Sequence, residues 1–265
     1  MTLLLKKFDM GHIKRDRICL FVGKRGCGKT TLLKDLLWYN HDLPVGMVMS
    51  GTEESNSFYQ SFIPNSWIYS DFNTAAFDTF MDTQKKVARQ YNEGKFKFDP
   101  HSFLLLDDCL YNPKILKSTS MKNLFYNGRH YNILTLISAQ YCMSMAPDMR
   151  NQVDYLFILK DNIRANRKRL FEHYFGMFKS LAEFNKVMDA VTSDYGALVL
   201  DNTQRSTDID KCVFWYRAEL RPDDWELGTK SLWKYHDIAY NKNYEDTDED
   251  IKTNSKPEKQ IVKID

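Results

Sequence analysis

Two periodicities alternate along the chain. Ile18–Val22 is an unbroken apolar run rich in β-formers, followed by a loop of glycine, lysine and arginine. Leucines at 32, 33, 36 and 37 then recur in adjacent pairs four apart, which marks one face of a helix over Thr30–Asn40. Val45–Ser50 predicts a second strand that runs into the turn-rich stretch SGTEESN, and Trp67–Tyr69 a short edge strand. Phe77, Phe80, Met81, Gln84, Val87, Ala88 and Tyr91 fall at helical spacing, with Asn73 or Thr74 as the cap and Gly94 as the stop. Phe103–Leu106 is a continuous apolar run, as expected of a strand covered on both faces. Asn112–Pro113 opens a further helix, which Gly128 closes. Ile133–Ser138, Tyr155–Leu159, Ala197–Leu200 and Val213–Tyr216 predict more strands, with helical stretches near 163–174 and 180–191 among them. Strands alternating with helices predict an α/β fold, a mostly parallel central sheet with helices on both faces.

Composition narrows this reading. The chain has 265 residues, 43% of them hydrophobic, enough for one α/β domain that needs no disulfide staples. That domain is expected over residues 1–244. Residues 245–265 are charged and lack aromatics, which predicts a disordered tail. The five cysteines, Cys19, Cys27, Cys109, Cys142 and Cys212, are odd in number and scattered, without zinc-ligand spacing. They are expected as reduced thiols in a cytosol-like compartment. No run reaches the roughly 18 to 20 apolar residues of a membrane helix, so no membrane insertion is expected, and Met1–Phe8 is too short in apolar residues for a secretory signal. Net charge is +2, but the tail holds four lysines against seven acids, which leaves the body at +5. Such a body permits a polyanionic partner without demanding one.

The chemistry concentrates in Gly23-Lys24-Arg25-Gly26-Cys27-Gly28-Lys29-Thr30, which fits G-x-x-x-x-G-K-[ST] between a predicted strand and a predicted helix. Glycines let backbone amides turn inward around phosphates, and the helix that begins near Lys29 points its positive end at the same place. Lys29 supplies a charge for the β- and γ-phosphates of ATP, and the Thr30 hydroxyl, followed by Thr31, a ligand for Mg²⁺. Asp107 and Asp108 follow FLLL directly. Asp107 is the expected second metal-binding acid, and Asp108 the group that orients or deprotonates water. Gln140, after the strand ILTLISA, is a candidate sensor of the γ-phosphate. Arg129 is a candidate arginine finger acting on a neighbouring subunit's nucleotide, with Arg150 the runner-up. Two basic clusters, Lys114/Lys117/Lys122 and Arg164/Arg167/Lys168/Arg169, are candidate phosphate contacts for DNA.

The segments GKRGCGKTT, MSGTEESNSFY, FLLLDD, NGRHYNI, LISAQ and VDYLFIL, in that order, resemble the FtsK–HerA superfamily. Within it they resemble the genome-packaging ATPases of large double-stranded DNA viruses. The likeness covers about residues 10 to 220. It implies a RecA-like P-loop ATPase, assembled as a homo-oligomeric ring, that spends ATP to move double-stranded DNA into a capsid. Capsid or vertex proteins are the implied partners, and the virion or host cytoplasm the implied location. Asp108 stands where many members of the superfamily carry glutamate. A nucleotide kinase and a non-catalytic nucleotide-binding assembly factor are the alternatives. Gln140 and the paired aspartates speak against the kinase, and the full set Lys29, Thr30, Asp107 and Asp108 against the assembly factor.

Overall fold

Residues 3–141 and 145–240 are described by a computed structural model. The expected tail over 245–265 and Cys142 lie outside them. The strands are β1 (Lys6–Lys7), β2 (Ile18–Val22), β3 (Val45–Ser50), β4 (Ile68–Tyr69), β5 (Ser102–Asp107), β6 (Ile133–Ala139), β7 (Tyr155–Ile158), β8 (Gly196–Asp201) and β9 (Val213–Arg217). They form one sheet in the order β1-β9-β8-β7-β2-β6-β5-β3-β4. Every neighbouring pair is parallel except the two that involve β8, which runs against the rest. The helices are α1 (Lys29–Trp38), α2 (Glu53–Asn56), α3 (Thr74–Asn92), α4 (Pro113–Lys117), α5 (Thr119–Asn127), α6 (Pro147–Arg150), α7 (Arg164–Tyr174), α8 (Leu181–Val191), α9 (Ile209–Cys212) and α10 (Lys230–Ala239).

β2 is central because all five of its residues are apolar and both faces need cover. Side chains alternate across the sheet, so Ile18, Leu20 and Val22 enter one core and Cys19 and Phe21 the other. The first core takes Leu104, Leu106, Ile137 and Leu156 from the sheet and packs them on α3, α5, α7 and α8. The second takes Phe103, Leu105, Leu136 and Phe157 and packs them on α1.

α1 is buried beyond the stripe that its leucines predict. Lys34 and Asp35 are also buried, Asp35 completely. The reason lies in residues 218–228, which leave β9 and cross over α1 as a strap. Asp35 accepts from the Tyr216 hydroxyl (2.6 Å), the Glu219 amide (3.0 Å) and Arg221 Nε (2.6 Å), and Lys34 pairs with Asp223 at 2.6 Å. Trp225 closes the strap against Trp38 and Phe62.

The single helix expected between Asn112 and Gly128 is two helices. Ser118 adopts extended backbone and accepts from the Met121 amide, so it ends α4 and caps α5. Asn73, not Thr74, caps α3. Besides the short helices α6 and α9, three elements went unforeseen. β1 is a pair of lysines with no strand periodicity, α2 lies in the stretch read as a turn, and α10 follows the last predicted strand. No helix among the described residues is long and apolar enough to cross a membrane.

Candidate functional site

The site forms where the parallel strands end. β2 delivers the loop Gly23–Gly28, and β5 delivers the two aspartates, one strand beyond β6. Gly26 and Gly28 take left-handed backbone, φ +72° and +98°, which side chains rarely adopt. Gly28 caps α1 without a side chain to bond the first amides, so those N–H groups are left for an anion. A Cβ at Gly23 would lie 2.5 Å from Cys27 Sγ and 3.0 Å from Leu159 Cβ, so a side chain there would have to push Cys27 and β7's end aside. Lys29 is buried, and its Nζ donates to the carbonyls of Gly23 (2.8 Å) and Lys24 (3.3 Å). The same Nζ stands 3.4 Å from Asp108 Oδ2, so the ammonium and the second aspartate meet.

Asp107 is buried at the end of β5. Its Oδ1 accepts from the Ser138 hydroxyl on β6, and its Oδ2 from the Tyr59 hydroxyl at 2.8 Å. Burial pushes the Asp107 carboxyl above the usual range, and the two hydroxyl donors work against that rise. Burial also pushes the Tyr59 phenol well up, so it stays protonated and donates. Tyr59 is held by Glu53, whose buried Oε1 accepts from the amides of Tyr59 (3.0 Å) and Gln60 (3.1 Å). Asp108 is left-handed at φ +49°, which turns its carboxyl away from the strand direction. Its amide donates to Ser138 Oγ at 3.1 Å, so one hydroxyl fixes both aspartates. Tyr59, Glu53 and Ser138 were not singled out in the sequence. They lie within SGTEESNSFY and LISAQ, but nothing in their spacing shows that they converge on Asp107.

Lys24, Arg25, Gly26, Gly28, Lys29, Thr30 and Thr31 line a cavity of about 960 Å³ together with Asp107 and Asp108. Cys27 is half-buried beneath the loop, next to Gly23. The oxygens of Thr30 and Asp107 suit a hard cation, since a carboxylate that accepts two hydrogen bonds keeps lone pairs for a ligand. No cluster of three or more His, Cys, Asp or Glu side chains able to hold a metal occurs among the described residues. One carboxylate and one hydroxyl would fit a hard, oxygen-preferring cation better than zinc.

Gln140 is exposed and shares with Asp108 a smaller adjoining cavity of about 280 Å³. Arg129 lies elsewhere. It precedes β6, at the far end of the sheet from the loop, and pairs with Asp154 at 2.8 Å. The seven residues of β6 separate it from its own chain's loop by roughly 20 Å. Arg150 is buried and donates to the Met145 carbonyl at 2.9 Å. Lys114, Lys117 and Lys122 are exposed, as are Arg164, Lys168 and Arg169. Arg167 is not. It is buried and pairs with Asp189 at 2.7 Å, so it ties α7 to α8 and leaves the expected basic face.

A glycine-rich loop between a central strand and a helix, faced by strand-end carboxylates on a mostly parallel sheet, defines an α/β fold of the P-loop ATPase class. Over residues 5–212 the chain matches the family model described as Poxvirus A32 protein, and it belongs to that family. It is 38% identical over 199 residues to an uncharacterized protein of Invertebrate iridescent virus 3, covering 74% of each chain. It is 31% identical over 244 residues to an uncharacterized protein of Acanthamoeba polyphaga mimivirus, covering 91% of this chain and 85% of that one. Its fold is similar to that of the genome packaging NTPase B204 from Sulfolobus turreted icosahedral virus 2, in complex with AMPPCP. The TM-score is 0.56 at 14% identity, over 78% of this chain and all of the other. The resemblance therefore holds for the family through the Poxvirus A32 match, and for the fold through the likeness to a viral packaging NTPase.

Proposed function

We propose that the chain is the ATPase of a viral genome-packaging motor, hydrolysing ATP to drive double-stranded DNA into a capsid. One observation carries the reading. Lys29, Thr30, Asp107 and Asp108 come together at the strand ends around one cavity, beside the first amides of α1, which no side chain caps. Family membership and the fold of a packaging NTPase support the viral and DNA-directed part.

The loop amides and Lys29 bind the β- and γ-phosphates and offset their charge. Thr30 and Asp107 would hold Mg²⁺, which supplies charge neutralisation on the phosphate oxygens. Ser138 and Tyr59 orient Asp107 for that task. Asp108 lies within reach of Lys29 and at the mouth of the cavity that Gln140 lines. There it orients the attacking water and takes its proton. Gln140 reports whether the γ-phosphate is present. Arg129, being remote from its own loop, acts in trans on the next subunit of a homo-oligomeric ring. DNA is held through its backbone by the exposed lysines of α4 and α5, and capsid or vertex proteins anchor the motor in the virion or the infected cell's cytoplasm.

The test is ATPase rate against duplex DNA concentration at two salt levels. Stimulation that falls steeply with salt is expected, because phosphate contacts release counterions. Neutralising Lys114, Lys117 and Lys122 should remove the stimulation and spare basal turnover. A flat response at both salts sinks the motor reading. Turnover that instead rises with a small phosphate acceptor would make the protein a nucleotide kinase, and no turnover at all an assembly factor.

A further inference from the structure

The 960 Å³ cavity extends to both sides of β2. The aspartates occupy the β6–β5 side. The other side is built by β7, β8 and β9, and the reversal of β8 decides what stands there. Because β8 runs against the sheet, it begins, rather than ends, beside the glycine-rich loop. Its first residue, Gly196, pairs with Arg217, the last residue of β9. The turn before β8 and the exit from β9 therefore both face the cavity.

That turn holds its side chains in a fixed direction. Asp194 and Tyr195 are both left-handed, φ +49° and +58°, a conformation that tyrosine rarely adopts. Gly196 admits no side chain, since a Cβ there would lie 2.0 Å from the Val191 carbonyl oxygen. Tyr195 is consequently directed over Gly28, where an added Cβ would meet its Cδ1 at 3.4 Å. Yet Tyr195 remains 67% exposed, and Leu220, also on the cavity wall, is 89% exposed. Two large side chains that contribute little to the core are thus set on a binding cavity, one of them by strained backbone. Asp194 and Arg217, also on the wall, pair with each other at 2.9 Å.

Resting on the nucleotide reading above, we propose that Tyr195 and Leu220 form the base subsite, with the nucleobase stacked on the Tyr195 ring. The phosphates then run from Gly28 across β2 towards Asp107 and Asp108. The contact uses the π-face of the base and not its hydrogen-bonding edge, while Asp194 and Arg217 are occupied with each other. Stacking of this kind tolerates any purine. ATP and GTP should therefore bind within about threefold of each other, and the base should add about tenfold to the affinity of the triphosphate.

The experiment is isothermal titration of the full chain with MgATP, MgGTP and magnesium tripolyphosphate, on the wild type, Tyr195→Phe and Tyr195→Asn. Asparagine tolerates left-handed backbone, so the variant loses the ring while the turn is kept, and a thermal melt checks that it folds. Tyr195→Asn should lose about tenfold in affinity for ATP and GTP and none for tripolyphosphate, and Tyr195→Phe should match the wild type. Equal ratios of ATP to tripolyphosphate affinity in all three proteins would overturn the subsite while leaving the phosphate loop intact. A wild-type protein that binds none of the three ligands would overturn the nucleotide reading itself, and the base subsite with it.

Discussion

Lys29 and Asp108 touch in this structure, yet their tasks separate on mutation. In the proposed mechanism Lys29→Ala removes the buried ammonium assigned to the terminal phosphates, so ATP binding and turnover should both fail. Asp108→Asn keeps the shape and loses the proposed base, so nucleotide should bind while hydrolysis falls by about 10²-fold or more. Filter binding and single-turnover hydrolysis on the two variants check the division, and equal loss of binding in both would refute it. Tyr59 carries a subtler expectation. Without its hydroxyl, Asp107 loses a donor that opposes the rise in its pKa. Tyr59→Phe should therefore need about tenfold more Mg²⁺ for half-maximal rate, the usual scale for a group that orients a metal ligand. The acid limb of its pH–rate profile should move to higher pH, because a carboxyl with a raised pKa is protonated sooner as pH falls. Magnesium titrations at two pH values measure both. The glycine-rich loop between β2 and α1 and the strand-end place of Asp107 could be read from sequence, because contiguous residues carry those signals. Tyr59 could not, since it reaches Asp107 from 48 positions away and its partner Glu53 shows no pattern until the chain is folded.

At the scale of elements, periodicity located most strands and long helices, because burial on one or both faces leaves a regular trace in the sequence. It failed where that trace is missing. β1 is two exposed lysines whose place is set only by pairing with β9. Ser118 divides one amphipathic stretch in two through a hydrogen bond that hydrophobicity does not register. The reversal of β8 was also hidden, since an apolar run reads the same in either direction. The strap over α1 was unforeseen too, and it invites a direct measurement. Asp35 is fully buried and takes three donors, the Tyr216 hydroxyl of β9 and the Glu219 amide and Arg221 Nε of the strap. Asp35→Ala would take the buried acceptor from Arg221 Nε and the Tyr216 hydroxyl and leave Arg221 only Glu219 as an acid partner, at a cost of about 3–5 kcal/mol. The melting temperature should drop by roughly 10 °C in a domain of this size. An unchanged melting temperature would mean that the strap is not fastened there.

On the scale of the whole molecule, the distance between Arg129 and its own phosphate loop becomes an expectation about assembly. Arg129→Ala protein should bind ATP normally and hydrolyse it poorly. Mixed with Lys29→Ala protein, it should regain part of the lost rate, because some sites then combine an intact loop with an intact arginine from the neighbour. Mixtures as inactive as their parents, yet still assembled, would assign Arg129 to its contact with Asp154 alone.

The central position of β2 has a further consequence, in the making of the protein. β2 is complete by residue 22, but its two neighbours are β6 and β7, the first of which ends at Ala139. A ribosome adds about 5–20 residues per second, so this five-residue apolar strand waits on the order of ten seconds for its first partner. Throughout that time it offers an open edge to any other nascent chain. Contacts this distant in sequence also close slowly once the chain is free. The arrangement that puts the phosphate loop at the middle of the sheet thus makes synthesis the most aggregation-prone period for this protein, and yield in a host cell should respond to chaperone supply more than to any change at the site.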